Sequence, residues 1–503
     1  MQDIISGLTL FADPFGLIAL VAGVFIGTVI GAIPGLSTVM AISIALPFTF
    51  SLEPIAGLLL LVGVYKGGMY GGAISAILIN TPGTPAASCT MLDGYPMAKK
   101  GQARSALEMA LYASCFGDLV STFVLILSAS WLAGFALDFG PSELFALVVF
   151  ALVIVAGVAA QEKIKGFLSM AVGLGLATVG MDMITGEQRF VFEVTELNAG
   201  LSLVPVLIGL FALPEVFQMY STQEKNKPAA PLGNNRLSFG AFFGYWKTLV
   251  RSSVIGVVLG VIPGLGPTPA AFFSYGEAKR KSSQPESFGK GNIEGVAAAE
   301  AANSAVGGAS MVPLLALGIP ADVITAVILG AFMIHGLQPG PLMFHTNINI
   351  IYALFMGMLA GSVLLFIIGR SSIPILGRLL NIRPSLLLPG VLVLCMFGAY
   401  GVNKSMFDVM VMFGMGVLGY VMVLLHFPRA PLLIGFVLGP LLENTFRQSL
   451  LMAHGQYEFF VSSFISKVFW AFTALYLLSA LYKLIRHKTK PATVDTLQPS
   501  PSD

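Results

Sequence analysis

The sequence predicts an all-α polytopic membrane protein made of two inverted-topology repeats, with broken or re-entrant helices and roughly 10–14 membrane segments. Three observations support this prediction. The composition is too apolar for a soluble protein, a ten-residue phrase occurs twice, and the loop charges around the two copies are reversed.

Composition decides the class. Hydrophobic residues make up 56% and charged residues 10% of the 503 residues, whereas soluble domains carry about 25% charged residues. The length is sufficient for roughly ten or more spans of about 20 residues. A net charge of +2 without a basic stripe argues against nucleic acid as a partner, and three widely spaced cysteines indicate neither a disulfide framework nor a metal site.

The repeated phrase contains a helix break. It runs from Gly27 to Leu36 and again from Gly256 to Leu265, and seven of the ten positions are identical. Each copy has a Pro-Gly pair inside an apolar stretch, and proline interrupts a helix. Paired broken helices are a device by which secondary transporters build a binding site near the middle of the membrane.

The loop charges predict that the two copies face opposite sides of the membrane. In the first half, Phe48–Glu53 has no Lys or Arg, whereas Asp93–Arg104 has three. In the second half, Glu277–Glu294 has four and Met333–Asn349 has none. Cytoplasmic loops collect Lys and Arg, so equivalent loops lie on opposite sides. A parallel duplication with accidental loop charges is the alternative.

The flanks of the second phrase indicate a re-entrant hairpin. Arg251 precedes the phrase and the basic run Lys279–Lys281 follows it, so both flanks read as cytoplasmic. The intervening chain therefore does not make a single crossing, and we expect it to break at Pro263–Pro267. By symmetry, Phe15–Phe50 forms the same shape from the outside, with an external N-terminus.

The remaining apolar segments divide the chain further. The predicted crossings are Ala106–Ala129, Leu144–Ala160, Phe167–Met181, Leu201–Met219, Ile350–Gly369, Leu386–Tyr400, Met406–Leu425, Pro431–Leu442 and Phe459–Leu481. The predicted organisation is a first transmembrane repeat (1–220), a cytoplasmic linker (221–250), a second, inverted repeat (251–450), a C-terminal helix with a basic cytoplasmic end (451–490) and a disordered tail (491–503).

A second duplicated element follows each hairpin. In it, a Gly-Gly pair leads to Gly83-Thr84-Pro85 in the first half and to Gly318-Ile319-Pro320 in the second. We expect Thr84 and Ile319 to occupy the N-cap and the following prolines to begin new helices. The free N–H groups and positive dipole end of a helix N-terminus attract anions. The Gly-Gly pairs are more typical of tight helix packing than of ligand contact.

These breaks predict an anion site between the two repeats. The predicted substrate-binding residues are Gly35, Leu36, Ser37, Thr38, Thr81, Gly83, Thr84, Gly264, Gly266, Thr268, Gly318 and Pro320. The residues predicted to hold a coupling cation are Asn80, Asn303, Ser304 and Glu300. The coupling ion is sodium, which favours such oxygens, or a proton, which needs a carboxylate. No cofactor and no metal centre are predicted.

Ionisable residues within the apolar sequence have either a functional or a structural role. Lys66 can extend to the membrane interface or pair with a carboxylate. Glu300 and Asp322 are functional candidates because burial of a charge in a membrane is costly, although a helix-end cap or a loop position is an equal alternative for Asp322. Glu108 and Asp118 are weaker candidates.

Five phrases also resemble a known family, namely Pro34–Leu36, Gly71–Gly83, Leu92–Ala98, Ser287–Gly291 and Gly295–Asn303. They resemble the large membrane subunit (TctA) of tripartite tricarboxylate transporters, and the resemblance extends from about residue 15 to residue 450. The resemblance implies ion-driven uptake of small carboxylates across the bacterial inner membrane. It also implies a small membrane subunit (TctB-like) and an extracytoplasmic solute-binding protein (TctC-like) as partners.

The sequence also bears on two other classes of protein. An intramembrane enzyme is disfavoured because the sequence has no His-Glu-x-x-His zinc motif and no Walker-type phosphate loop. A channel, or a carrier for a different small anion, shares the broken helices and small residues and remains the alternative.

Overall fold

The chain is an all-α polytopic membrane protein. A computed structural model describes residues 2–158, 163–182, 184–221, 230–379 and 384–488. The predicted tail 491–503 and positions 222–229 of the predicted linker lie outside the described residues.

The first half contains ten helices within these residues. They are α1 (Gln2–Phe11), α2 (Pro14–Ala32), α3 (Thr38–Thr49), α4 (Pro54–Ile79), α5 (Ala87–Lys99), α6 (Ala103–Ala136), α7 (Pro141–Val158), α8 (Lys163–Ala177), α9 (Leu203–Leu207) and α10 (Leu213–Ser221). A π-helical segment, Ile208–Ala212, joins α9 to α10. Two short strands, β1 (Gly180–Met181) and β2 (Gln188–Arg189), pair antiparallel with Gly180 opposite Arg189.

The second half contains eleven helices within the described part of the chain. They are α11 (Phe239–Phe243), α12 (Trp246–Val261), α13 (Pro267–Lys281), α14 (Ile293–Leu317), α15 (Val323–Ile334), α16 (Met343–Thr346), α17 (Ile348–Leu379), α18 (Pro384–Asn403), α19 (Met406–Leu424), α20 (Arg429–Met452) and α21 (Phe464–Lys488). Short 3₁₀ turns lie at Thr195–Ala199, Pro285–Ser287 and Tyr457–Val461.

Seven helical stretches of the described chain are long and apolar enough to cross a membrane. They are Pro14–Ala32, Pro54–Ile79, Ala103–Ala136, Pro141–Val158, Leu203–Tyr220, Ile348–Ile375 and Met406–Leu424. Shorter apolar helices, including α3 and α15, complete the bundle. The half-length helices follow directly from the breaks in the chain.

The two Pro-Gly breaks have the same local geometry. Ile33 and Ile262, each the residue before the proline, are extended with ψ of 123° and 118°, because a following proline disfavours the helical region. The glycines after the prolines then adopt positive φ, +82° at Gly35 and +87° at Gly264, which side chains with a Cβ rarely tolerate. Each break thereby redirects the chain, into α3 in the first half and into α13 in the second, as the repeated phrase predicts.

The second pair of breaks differs from the predicted capping. The prediction that Thr84 and Ile319 are N-caps is wrong, because α5 begins at Ala87 and α15 at Val323. Thr84 belongs to a tight turn before α5, in which its hydroxyl oxygen accepts the Ala87 N–H at 3.3 Å. In the second half Asp322 is the N-cap of α15, and its carboxylate supplies the acceptor that Ile319 lacks.

Glycines let the helices of each half approach to backbone contact. A Cβ on Gly27 of α2 would lie 2.3 Å from the Val64 carbonyl oxygen of α4. A Cβ on Gly71 would lie 2.7 Å from the Thr28 carbonyl oxygen, and one on Gly308 would lie 2.6 Å from a hydroxyl oxygen of α6. Tight packing of the Gly-Gly pairs is therefore confirmed.

A four-residue ion-pair cluster fixes the β-hairpin to α20. Arg189 binds Glu443 at 2.8 Å, and Arg447 binds Asp182 at 2.8 Å. The Ile184 backbone N–H and the Arg447 guanidinium hold the pKa of Asp182 well below its usual range. These contacts favour the ionised carboxylate, which links the β-hairpin to α20 through Arg447.

Candidate functional site

A cavity of about 450 Å³ lies where the helix breaks of both halves meet. This large cavity is lined by Ser37, Thr38, Val39, Met69, Thr84, Pro85, Ala86, Val155, Val158, Gly264, Leu265, Gly266, Pro267, Thr268, Pro269, Asp322, Val323, Ile324, Ala430 and Ile434. Its volume falls in the range of small-molecule sites, about 300–1,000 Å³. The four breaks predicted from the repeats thus converge on one site-sized space.

Half of the predicted substrate-binding residues line this cavity. The lining ones are Ser37, Thr38, Thr84, Gly264, Gly266 and Thr268. The others are not among the lining residues, namely Gly35, Leu36, Thr81, Gly83, Gly318 and Pro320. Leu36, for example, is buried in the apolar core that surrounds α3 and α4.

Three predicted backbone donors are already occupied by the protein. The N–H of Gly83 donates to the Gly72 carbonyl at 3.2 Å, and that of Gly318 donates to the Leu314 carbonyl at 3.0 Å. The N–H of Gly264 donates to the Ala321 carbonyl at 2.7 Å. The prediction that these glycines offer free N–H groups is therefore wrong for this conformation, and their bonds instead hold the breaks in place.

Glu215 is a residue whose role at the cavity the sequence analysis missed. The Ser37 backbone N–H and hydroxyl donate to the two oxygens of its carboxylate, at 3.0 and 2.6 Å. The Ser37 oxygen in turn accepts the N–H of Met40 at 3.1 Å. The start of α3 is thus already satisfied by a carboxylate. The available signal was an acidic residue within the predicted crossing Leu201–Met219.

The start of α13 differs, because no side chain caps it within the described residues. Gly266 is its N-cap, and Pro267 and Pro269 have no N–H to offer. The N–H groups of Gly266 and Thr268, with the Thr268 hydroxyl, are therefore the donors at this end of the helix.

The start of α5 is different, because its first N–H groups are already bonded. The Ala87 N–H donates to the Thr84 hydroxyl and carbonyl oxygens at 3.3 and 3.1 Å, and the N–H groups of Ser88 and Cys89 donate to the Pro85 and Ala86 carbonyls. Among the helix starts at the cavity in the described structure, that of α13 therefore keeps donors without a side-chain cap.

Part of the lining of the large cavity is apolar. Val155 and Val158 come from α7, and Ala430 and Ile434 come from α20. The sequence does not predict this part of the lining, because valine, alanine and isoleucine in apolar segments give no sign that they border a cavity.

A smaller space next to the large cavity contains a buried ion pair. This ion-pair chamber, of about 20 Å³, is lined by Val62, Tyr65, Lys66, Met69, Asp118, Ser304, Gly307, Met311, Met358 and Leu365. The Lys66 ammonium and the Ser362 hydroxyl both donate to Oδ2 of Asp118, each at 2.5 Å. The volume is sufficient for about one water molecule. Of the two interpretations of Lys66, pairing with a carboxylate is the one the structure shows.

The predicted cation-binding residues do not form one group. Both oxygens of Glu300 accept hydrogen bonds, one from the Thr90 hydroxyl and the other from the Ser114 hydroxyl at 2.9 Å. Ser304 lines the ion-pair chamber. Both amide atoms of Asn303 are buried without a partner among the described residues. Asn80 is exposed at the end of α4 and lines neither space.

The aspartate of the Leu92–Ala98 phrase joins the two halves. Asp93 is fully buried, and its Oδ1 accepts the backbone N–H groups of Gly291 and Asn292, both at 2.8 Å. Its Oδ2 accepts the Tyr275 hydroxyl at 2.7 Å. This phrase is therefore a structural clamp between α5, α13 and the loop before α14, and it does not line the large cavity.

Comparison with known proteins is consistent with this architecture. The sequence model of the Tripartite tricarboxylate transporter TctA family matches residues 17–434. An uncharacterized 52.8 kDa protein in the TAR-I ttuC' 3'region of Agrobacterium vitis is 37% identical over 500 residues, which cover 98% of this chain and 100% of the relative. An uncharacterized protein in the TAR-II ttuC' 3'region of the same organism is 37% identical over 240 residues, 48% of this chain and 99% of the relative. No solved structure matches the chain.

Proposed function

Because the chain belongs to the TctA family of tripartite tricarboxylate transporters, we propose that it is the permease subunit of a secondary transporter for small carboxylates. The observation that carries this proposal is the large cavity of about 450 Å³ at the junction of the helix breaks of both halves. Secondary transporters place their substrates at such breaks, where half-helix N-termini point at anionic groups.

In this proposal a substrate carboxylate binds at the start of α13. This start has no capping side chain within the described residues, so the positive end of its helix dipole is available to a ligand anion. The start of α3 takes a smaller part, because Glu215 already occupies its Ser37 donors.

We further propose that uptake is driven by a gradient of sodium or protons. Ser304 and Asp118 line the ion-pair chamber, and Asn303, the residue before Ser304, has both amide atoms buried without a partner in the described structure. A hard monovalent cation needs such oxygens, and a proton needs such a carboxylate.

The family context supports two partners and a location. We propose that a small membrane subunit and an extracytoplasmic solute-binding protein work with the chain in the bacterial inner membrane, with the N-terminus outside and the C-terminus in the cytoplasm. The residues 1–220 and 251–450 act as the two inverted repeats, joined by the stretch 221–250. The protein carries out transport rather than catalysis.

The test is uptake of radiolabelled carboxylates by cells that express the chain with its two partner subunits, with and without an imposed sodium gradient. We expect saturable accumulation that depends on the gradient and on the solute-binding protein. Uncoupled conduction in single steps would favour the channel alternative, and no uptake of any carboxylate by protein that is present in the membrane would contradict the proposed substrate class.

Replacement of Thr268 by valine tests the start of α13 directly. Valine keeps the shape of threonine but removes a hydroxyl that borders the cavity, and a hydrogen bond to a charged group contributes about 1.5–3 kcal/mol. We expect the KM of carboxylate uptake to rise about 10- to 100-fold, whereas Thr268→Ser, which keeps the hydroxyl, stays within about threefold. An unchanged KM in Thr268→Val would remove this hydroxyl from the binding site.

A further inference from the structure

Asp322 places a carboxylate in the wall of the large cavity, and its orientation is fixed. Its Oδ1 accepts both the backbone N–H and the hydroxyl of Thr325, each at 2.8 Å, and its own N–H donates to the Thr325 hydroxyl oxygen at 2.9 Å. This reciprocal capping box holds the side chain at the start of α15. The other oxygen therefore points in a direction that the fold determines.

That other oxygen makes no hydrogen bond within the described residues, although the Tyr65 hydroxyl, which is also buried without a partner there, lies beside the Asp322 carboxylate. Oδ2 of Asp322 is buried without a partner among the described residues, and the whole residue is only 8% exposed. The Thr38 hydroxyl, in a residue 2% exposed that lines the same cavity, is also without a partner in the described structure. Buried polar atoms are normally satisfied, and because Thr38 and Asp322 line the cavity, a polar group of a ligand is able to complete these two atoms.

The chemistry of the missing group follows from the charge of the site. A ligand carboxylate beside Asp322 would bring two negative charges together, which is unfavourable in a space of low dielectric. A carboxylate oxygen accepts hydrogen bonds but cannot donate them. A ligand group that faces Oδ2 must therefore be a donor or a cation, while a ligand carboxylate lies at the uncapped start of α13.

A hydroxyl fits this position better than a small cation. A cation needs several converging oxygens, but the Ser37 hydroxyl is bonded to Glu215, and the Thr84 hydroxyl oxygen accepts a backbone N–H. The nearest residues along the chain from Asp322 that line the cavity, Val323 and Ile324, are apolar. One directional O–H donor satisfies Oδ2 without further ligands.

We propose that Asp322 reads a hydroxyl group on the substrate, so that the chain prefers hydroxycarboxylates over the same carboxylates without the hydroxyl. This inference rests on the proposed function and narrows its substrate class. A site built to bond a substrate hydroxyl rejects the analogue that lacks it, because the buried acceptor is then left unpaired.

The test uses pairs of carboxylates that differ by one hydroxyl, malate with succinate and citrate with tricarballylate. Binding is measured by calorimetry on the purified full-length chain in lipid nanodiscs, so that the selectivity of the solute-binding protein does not enter. For at least one pair we expect the hydroxylated member to bind about 10- to 100-fold more tightly, the factor for one hydrogen bond to a charged group.

The variant Asp322→Asn separates this role from folding. Asparagine is as good an N-cap as aspartate, but its NH₂ group is a donor where Oδ2 was an acceptor, so we expect the preference to shrink to about threefold or less. The control is Asp13→Asn, the same change at the N-cap of α2, where Asp13 accepts the Gly16 N–H at 2.9 Å away from the cavity lining. It should keep the wild-type preference.

The outcomes are distinguishable. Equal binding of both members of every pair that the wild type binds would overturn the inference and leave carboxylate transport standing. An undiminished preference in Asp322→Asn would show that another residue reads the hydroxyl. If Asp322→Asn keeps the preference for hydroxycarboxylates but its carboxylate binding no longer depends on sodium, Asp322 holds a cation instead. A chain that binds no member of any pair would contradict the proposed function itself, and the inference with it.

Discussion

Replacement of Asp118 by asparagine is expected to destabilise the protein by about 3–5 kcal/mol, the usual cost of removing one partner from a buried ion pair. The side chains of Lys66 and Asp118 are only 4% and 6% exposed. The ammonium of Lys66 would keep Ser362 at 3.3 Å but lose its counter-charge. Lys66→Met should be similarly costly, because the Asp118 carboxylate would then remain in an apolar chamber.

The double variant Lys66→Met/Asp118→Leu should recover most of the lost stability, since replacing a whole buried pair by apolar residues is often neutral. Thermal unfolding of the purified chain measures these changes. The control is Glu277→Gln, which removes one partner from the pair with Arg280, a residue whose side chain is 72% exposed, and which should cost at most about 1 kcal/mol. Single variants as stable as the control, or a double variant less stable than either single one, would contradict the expectation.

Replacement of Gly117 by alanine is the second change with a large expected effect. An added Cβ would lie 2.1 Å from the Ala301 carbonyl oxygen, so α6 and α14 would have to separate. Overpacking of this kind costs about 1–3 kcal/mol or more. The displaced helices carry Asp118 and Glu300, so we expect uptake to be lost together with stability.

Gly134→Ala, on the same helix, is the matched control. A Cβ at Gly134 has no neighbouring atom within 4 Å, and alanine favours the helix over glycine by up to about 1 kcal/mol. This variant should unfold at the wild-type temperature or slightly above it and should transport normally. Similar losses in both variants, in thermal unfolding and in uptake, would show that the α6–α14 contact is not the cause.

The breaks were predictable from the sequence because their causes are local. Proline removes a backbone donor and restricts the residue before it, so Pro34-Gly35 and Pro263-Gly264 indicate where the helices end without any knowledge of the fold. The membrane class was equally predictable, since it depends on composition alone. The inverted orientation of the repeats and the roles of the individual site residues stay predictions.

The details of the site that the sequence did not predict depend on competition between neighbouring residues or on contacts between distant parts of the chain. Pro320 is a good first helical residue, but the Asp322 side chain competes for the same start and supplies the hydrogen bonds that fix it. The pairing of Lys66 with Asp118 joins residues on different helices. The Gly264 N–H donates to the Ala321 carbonyl. Neither segment alone predicts this hydrogen bond.

One side chain, Met69, borders both the large cavity and the ion-pair chamber. The partition at this point is a flexible thioether that contributes no charge and no strong hydrogen-bonding group. Counter-ions and bulk water weaken electric fields at a protein surface. The layer between the two spaces at Met69 is one side chain thick and has no room for either. An anion in the large cavity would therefore act electrostatically on the Lys66–Asp118 ion pair across a single side chain, with little screening.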